Sequence, residues 1–194
     1  MTARGLAASR LAVSLPADLK VDAGSLLRRA DGRAVRVHGV TLYETDFVLW
    51  TEDQAGKLRQ ARDAGSNLDL DWQHLIEEVE WLGITNRRAL LTDVMGVLEH
   101  LAKLEWSPAF DPRRAWADRI DGHRDRIATL LRQSPCLREV LHGAINDGWE
   151  LTRPRVEREL ERSRAGLELP IGCPYASEQV LGSEWFPRNR YGFE

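Results

Sequence analysis

The sequence predicts an all-α protein, a single up-and-down bundle of about five helices with a short C-terminal helix and a poorly ordered N-terminal extension. From residue 45 onward, apolar residues recur every three or four positions, which is typical of helices with one buried face. No stretch after residue 42 alternates convincingly as a strand would. Seven tryptophans, five of them between residues 43 and 116, supply large side chains for such a core.

The first helix is expected to begin at a capping residue, Thr45 or Asp46, and to end at Gly65. The second is expected to follow a cap at Asp69 or Asp71. Its apolar side carries Trp72, Leu75, Ile76, Val79 and Leu82.

Gly83 is predicted to end or bend the second helix, so that Thr85 or Asn86 caps a third. The third helix has an apolar line with spacings of 4, 3, 4 and 3, formed by Leu90, Val94, Val97, Leu101 and Leu104. This spacing predicts the widest buried face of the chain.

A fourth helix from about Arg113 repeats this spacing with Trp116, Ile120, His123, Ile127 and Leu130. Ser134 and Pro135 predict the start of the fifth helix. Pro154 lies inside that helix and is expected to kink it or split it near Leu151. The short last helix is expected at about residues 177–181.

Residues 1–42 differ in composition from the rest and carry a net charge of +4. Leu26 and Leu27 fit a short helix opened by Ser25, and residues 33–40 alternate weakly, but low order is the better expectation. A natural start further downstream, for example at Val40, is one explanation. The predicted organisation is thus a low-order extension over 1–42, a helical domain over 43–187 and a tail over 188–194.

Charge is unevenly distributed within a net charge of −3: residues 43–111 carry −8, and residues 112–164 carry +3 with twelve arginines and no lysine. Two such halves attract each other when they fold together. This attraction accounts for the enrichment in arginine without a role in nucleic-acid binding. The apolar runs are too short for a transmembrane helix. Cys136 and Cys173 are too few for a disulfide framework, which favours a cytoplasmic location.

Several short motifs carry a family resemblance. They include Tyr43-x-x-Asp46-Phe47-x-x-Trp50, the acidic run from Leu75 to Gly83, His100-Leu101-x-Lys103-x-x-Trp106 and Cys173-Pro174-Tyr175. In this order they resemble the DUF29 family of bacterial helical proteins. The resemblance implies a helical fold but no activity, because the family has no established catalytic or binding residues. Trp81 stands where an acidic or polar residue is more usual in the family.

One candidate chemistry is a metal site on facing helices, with His74, Glu77, Glu78, His100 and His123 as candidate ligands. The Glu-x-x-His order typical of di-iron bundles is missing, since His74 precedes Glu77. A lone histidine in an apolar stripe, such as His123, is more often a hydrogen-bonded core residue. His100 reads as a boundary residue.

The candidate partner-binding residues are Trp81, Arg119 and Arg126. The two arginines lie on one face of the fourth helix, and we expect them to pair with Glu77, Glu78 or Glu80. Cys136 lies where a helix dipole lowers a thiol pKa, although burial is the stronger expectation.

The sequence therefore favours a non-catalytic binding or regulatory helical bundle without a cofactor. Its partner would be another protein or a second copy of the chain. A metal-dependent enzyme using the His/Glu cluster, and nonspecific nucleic-acid binding through the arginine-rich half, remain as alternatives.

Overall fold

The structure is a computed structural model that describes residues 19–21, 27–29, 41–109, 111–162 and 168–192. The chain forms two units, residues 1–40 and 41–194. In the first unit, strands β1 (Leu19–Val21) and β2 (Leu27–Arg29) pair antiparallel, with Leu19 opposite Arg29. Leu27, which also fitted a short helix, therefore lies in a strand, because a second strand is available to pair with this segment. The weak strand expected over 33–40 lies outside the described residues.

The second unit confirms the all-α fold, and its described residues form no strand. The six helices are α1 (Leu42–Thr45), α2 (Phe47–Asp63), α3 (Trp72–Trp106), α4 (Arg113–Gln133), α5 (Leu137–Glu161) and α6 (Ser177–Leu181). Asp46 caps α2 through Leu49 N, and Asp71 caps α3 through His74 N. Gly65 follows α2 with a φ of +73°, a conformation that favours glycine.

The second and third predicted helices are one continuous helix, so the predicted break at Gly83 and the predicted cap at Thr85 or Asn86 are wrong. Gly83 is buried in α3, and a Cβ there would collide with Oγ1 of Thr51 on α2. The glycine thus permits close packing of two helices instead of ending one. Because α3 has 35 residues, it is about 52 Å long.

α5 likewise continues through Pro154, so the predicted split is wrong. Pro154 is exposed, while Thr152 and Val156 beside it are buried. Because proline has no N–H, α5 loses one backbone hydrogen bond at Pro154. The packing of buried residues before and after Pro154 keeps the helix continuous despite this loss. Ser134 does not cap α5 but accepts a hydrogen bond from Val48 N of α2 at 3.2 Å.

α3 is the central helix of the bundle and packs against α2, α4 and α5. Pairs of contacting residues show the directions of the helices. Arg113 and Arg126 of α4 contact Leu104 and Asp93 of α3, so α4 is antiparallel to α3. Arg155 and Glu159 of α5 contact Glu99 and Lys103, so α5 is parallel to α3. The core lies between these helices and includes fully buried Val94, Val97, Leu98, Leu101, Ile120, Ile127, Trp149 and Val156. No helix among the described residues combines the length and apolar character needed to cross a bilayer.

The buried stripe of α4 differs from the predicted one in its second half. It consists of Trp116, Ile120, Arg124, Ile127 and Leu131, with Arg124 and Leu131 in place of His123 and Leu130. Arg124 is buried because it donates to the backbone carbonyls of Gln179, Val180 and Trp185 at 2.8–3.0 Å. A guanidinium with these acceptors can occupy a core position.

The C-terminal segment closes one end of the bundle. Tyr175 is surrounded by the rings of Trp106, Trp149 and Trp185 at centroid distances of 6.0–6.3 Å, and its hydroxyl donates to Glu105 at 3.0 Å. Asn189 donates to the carbonyls of Leu104 and Ser107, which lie at the end of α3. The last carbonyls of a helix lack a donor from the helix itself. The side chain of Asn189, which is far from α3 in sequence, supplies one and so caps the C-terminal end of this helix.

Candidate functional site

A cluster of polar side chains lies where α3 meets α4. Asp93, Gly96 and His100 follow one line along α3 with spacings of three and four residues, and His123 and Arg126 of α4 lie opposite them. The rings of His100 and His123 are 6.1 Å apart between centroids. The structure therefore brings together two of the five predicted metal ligands.

His123 is held at the edge of the core. Its Nδ1 lies 2.8 Å from Oδ1 of Asp93, and Nε of Arg126 donates to the same oxygen at 2.7 Å. The ring packs against Gly96 so closely that a Cβ on Gly96 would overlap it. The predicted core position of His123 is thus wrong, because Arg124 takes that place.

His100 is the more buried of the two histidines, with 5% of its surface exposed, although the sequence suggested a boundary position. Its Nδ1 is buried without a hydrogen-bond partner. Burial, and next the positive charge of Lys103, lower the pKa of His100 from 6.5 to about 4. The imidazole is therefore neutral at neutral pH.

Beside His100, four charged side chains join α3 to α5. The ammonium of Lys103, almost fully buried, lies 2.8 Å from Glu99 and 2.8 Å from Glu159, and Arg155 also pairs with Glu99. Each buried charge thus has an opposite charge beside it, which offsets its loss of hydration. The network therefore has a structural role, which is to join α3 to α5.

The remaining predicted ligands lie elsewhere. His74 is at the first turn of α3, where its Nδ1 lies 2.6 Å from Asp71, and Glu77 accepts from Gln73. His74 and His100 are 26 residues apart on one helix, which is about 39 Å. The five candidates therefore do not form one site. In the described parts of the chain, no three His, Cys, Asp or Glu side chains are placed to hold a metal ion.

The expected pairing of the acidic run with the arginines of α4 is wrong in its partners. Glu80 pairs with Arg59 of α2, and Arg126 pairs with Asp93. α4 contacts only the middle and C-terminal part of α3. The acidic run is in the N-terminal part of α3, which lies against α2 instead. Arg119 is exposed on α4, and its charge helps to lower the pKa of His100.

Cys136 precedes α5 and is half-buried, so burial, the stronger of the two expectations, outweighs the helix dipole. Burial and the carboxylate of Asp46 raise the pKa of Cys136 to about 12. Asp46 accepts from the backbone N–H of Cys136 at 2.7 Å and from its thiol at 3.2 Å. Cys136 therefore remains a protonated thiol at the contact between the N-terminal ends of α2 and α5. A protonated thiol is a poor nucleophile. Cys173 is half-buried, and burial raises its pKa too.

The N-terminal part of α3 extends beyond α4 and is accompanied there by α2. Gln133, the last residue of α4, helps to line one shallow pocket together with Asn86 of α3. From there to Trp72, α3 continues for about 21 Å. In the described chain, its ion pairs and hydrogen bonds with other elements over this length go to α2, as in Arg59–Glu80 and Arg62–Gln73. We call residues 51–86 the projecting hairpin.

The projecting hairpin carries most of the exposed apolar surface. Ten large apolar side chains are exposed in the described chain, and six of them lie within residues 68–84. We call these six the exposed apolar set: Leu68, Leu70, Leu75, Trp81, Leu82 and Ile84. Trp81 is 50% exposed, and the guanidinium of Arg88 lies 4.6 Å from its ring centroid. A cluster of this kind is typical of an interaction surface.

Of the predicted partner-binding residues, Trp81 thus lies in the exposed apolar set, while Arg119 and Arg126 lie on α4. Leu75 and Leu82 were expected to pack inward, but α4 ends before it reaches them. Leu75 and Leu82 are exposed because α4 is shorter than α3. The sequence around these leucines does not indicate how far a neighbouring helix will extend.

Comparisons with known proteins agree with this fold. Residues 42–186 match the model of the family described as a domain of unknown function, DUF29. An α-helical protein of unknown function from Rhodospirillum rubrum has a similar crystal structure, with a TM-score of 0.63 and 22% sequence identity. The similarity covers 75% of this chain and 92% of that one. A search of curated proteins gives no match.

Proposed function

The chain belongs to the DUF29 family, whose description assigns no activity, and we propose that it is a non-catalytic protein-binding module that docks its partner on the projecting hairpin. One observation carries this proposal: of the ten large apolar side chains exposed in the described chain, six lie in 17 consecutive residues at one end of the helical unit. Single exposed apolar residues are common on protein surfaces, but such a concentration is typical of a surface that is covered in use.

The composition of this surface supports a protein partner. Tryptophan and an arginine stacked on it are side chains that contribute strongly to protein interfaces, and the exposed leucines add apolar area around them. The two half-buried free cysteines fit a reducing compartment, so we place the interaction in the cytoplasm.

The arginine-rich half offers less support for nucleic-acid binding. Seven of its twelve arginines donate hydrogen bonds or form ion pairs within the protein: Arg113, Arg124, Arg126, Arg132, Arg138, Arg153 and Arg155. Arg132 and Arg153 bond within their own helices, and the other five join different elements of the chain. Contacts inside the protein therefore account for much of the enrichment in arginine.

The proposal is tested by photo-crosslinking in the native host. Leu82 is replaced by benzoylphenylalanine in one variant, and Leu151, which is 59% exposed on α5, is replaced in a matched control. We expect a discrete crosslinked product from position 82 that is absent from position 151, and that disappears when Leu75→Asp is added. No product from position 82, or the same products from both positions, would contradict the proposal.

A further inference from the structure

The outer side of α3 carries a line of four residues that begins in the projecting hairpin and ends two residues beyond it, and its spacing is the same in both directions. Glu78, Trp81, Thr85 and Arg88 lie on one face of the helix, with spacings of 3, 4 and 3 residues. All four side chains are exposed. An acidic residue stands at one end of this line, a basic residue at the other, and a tryptophan near the centre.

This line suits an antiparallel copy of itself. When a second helix runs in the opposite direction and is centred near residue 83, Glu78 of each copy lies opposite Arg88 of the other, and Trp81 lies opposite Thr85. Leu82 borders the line on one side and Ile84 on the other, so both would lose exposed apolar surface. A parallel copy would instead place like charges opposite each other.

Both charges are available for such pairing. Other charged residues along α2 and the N-terminal half of α3 form ion pairs between these two helices, as in Glu80–Arg59 and Arg87–Glu52. Within the described chain Glu78 forms no ion pair, and Arg88 has only the ring of Trp81 beside its guanidinium. The two charged groups at the ends of the line are thus left without an ion pair in one copy.

We infer that the partner on the projecting hairpin is a second copy of this chain, docked antiparallel with α3 against α3. The inference rests on the proposed function and names its partner. The same patch serves both copies, so the assembly closes as a dimer. In this dimer α3 of each copy lies between its own α2 and α3 of the other copy, which covers Trp81, Leu82 and Ile84, side chains that one hairpin leaves exposed.

The inference is tested by sedimentation equilibrium of the full purified chain over a range of concentrations. We expect a dimer. Glu78→Arg alone and Arg88→Glu alone should each weaken dimerisation roughly tenfold or more, because each places two pairs of like charges in the interface. Circular dichroism checks that each variant remains folded.

Two further samples give the sharper result. The double variant Glu78→Arg/Arg88→Glu should dimerise like the original chain, and an equimolar mixture of the single variants should form heterodimers, because both restore opposite charges. Glu150→Arg, a reversal at an exposed site on α5, is the control and should leave the dissociation constant unchanged.

The outcomes separate this inference from the proposed function. A chain that is monomeric at all concentrations, or a dimer whose stability ignores residues 78 and 88, would overturn the second copy as the partner. If crosslinks from position 82 to another protein still form in that case, the proposed function stands with a different partner. Absence of both dimer and crosslink would overturn both.

Discussion

The imidazole of His123 packs directly against the backbone of Gly96, at the point where α4 meets α3. A Cβ on Gly96 would overlap ring atoms Cε1 and Nε2. The same ring is held on its other side by Asp93, which also receives Arg126. The glycine thus sets how closely the two helices approach.

Gly96→Ala should therefore destabilise the protein. The new methyl group must push His123 away from Asp93 or separate α3 from α4, and overpacking of this kind costs about 1–3 kcal/mol. Urea unfolding followed by circular dichroism measures the change. Gly143→Ala is the control, because no atom lies within 4 Å of a Cβ there. In that exposed helical position alanine should stabilise by about 0.5–1 kcal/mol. Equal gains at both positions would show that His123 moves aside without cost.

The buried imidazole of His100 should make stability depend on pH. Its pKa is lowered from 6.5 to about 4, so the unfolded chain binds its proton more tightly than the folded one. The stabilising contribution is present above pH 6.5 and is lost as the pH falls from 6.5 towards 4, by about 3 kcal/mol in total.

Unfolding free energies at several pH values between 7 and 4 test this. His100→Gln should have a flatter profile than the original chain over this interval. His142→Gln, at an exposed position on α5, should leave the profile unchanged. Parallel profiles for the original chain and His100→Gln would show that His100 does not titrate in this way.

Leu101→Ala should cost about 2–5 kcal/mol, because Leu101 is fully buried in the centre of α3 and its loss leaves a cavity. Leu151→Ala removes the same atoms from an exposed site on α5 and should change the stability by less than about 0.5 kcal/mol. Thermal and urea unfolding measure both. A similar small loss in the two variants would mean that the α3 face is not the core.

The helical unit should be stable without the N-terminal segment. A chain that begins at Val40 keeps all six helices and the C-terminal segment that closes the bundle. We expect it to melt within a few degrees of the full chain, because the packed helices are all retained. For a chain of this size, a loss of 1 kcal/mol would lower Tm by about 2–4 °C. A fall of many degrees would show that residues 1–39 stabilise the bundle.

Local signals predicted much of this fold. Asp46 and Asp71 are helix caps, Gly65 follows a helix end, and the line from Leu90 to Leu104 is buried, as their residue types and spacing indicated. These features depend on one helix and its own side chains, so the sequence contains them.

The errors arose where a neighbouring helix decides the outcome. Gly83 looked like a helix end, but it admits Thr51 of α2. His123 was expected in the buried stripe of α4, but Arg124 takes that position because it donates to carbonyls more than 50 residues away. The exposure of Leu82 depends on where α4 ends. Such relations between distant residues leave no periodic pattern in the sequence.

The central claim, that the projecting hairpin is covered by a protein partner in the cell, is tested most directly by maleimide labelling of Leu82→Cys and Leu151→Cys variants. Cys136 and Cys173 are half-buried with raised pKa values, and the unmodified chain measures their background. In intact host cells, relative to the dilute purified chain, labelling at position 82 should slow roughly tenfold if about 90% of the surface is occupied, while position 151 should show no such change. Equal ratios at the two positions would contradict the claim.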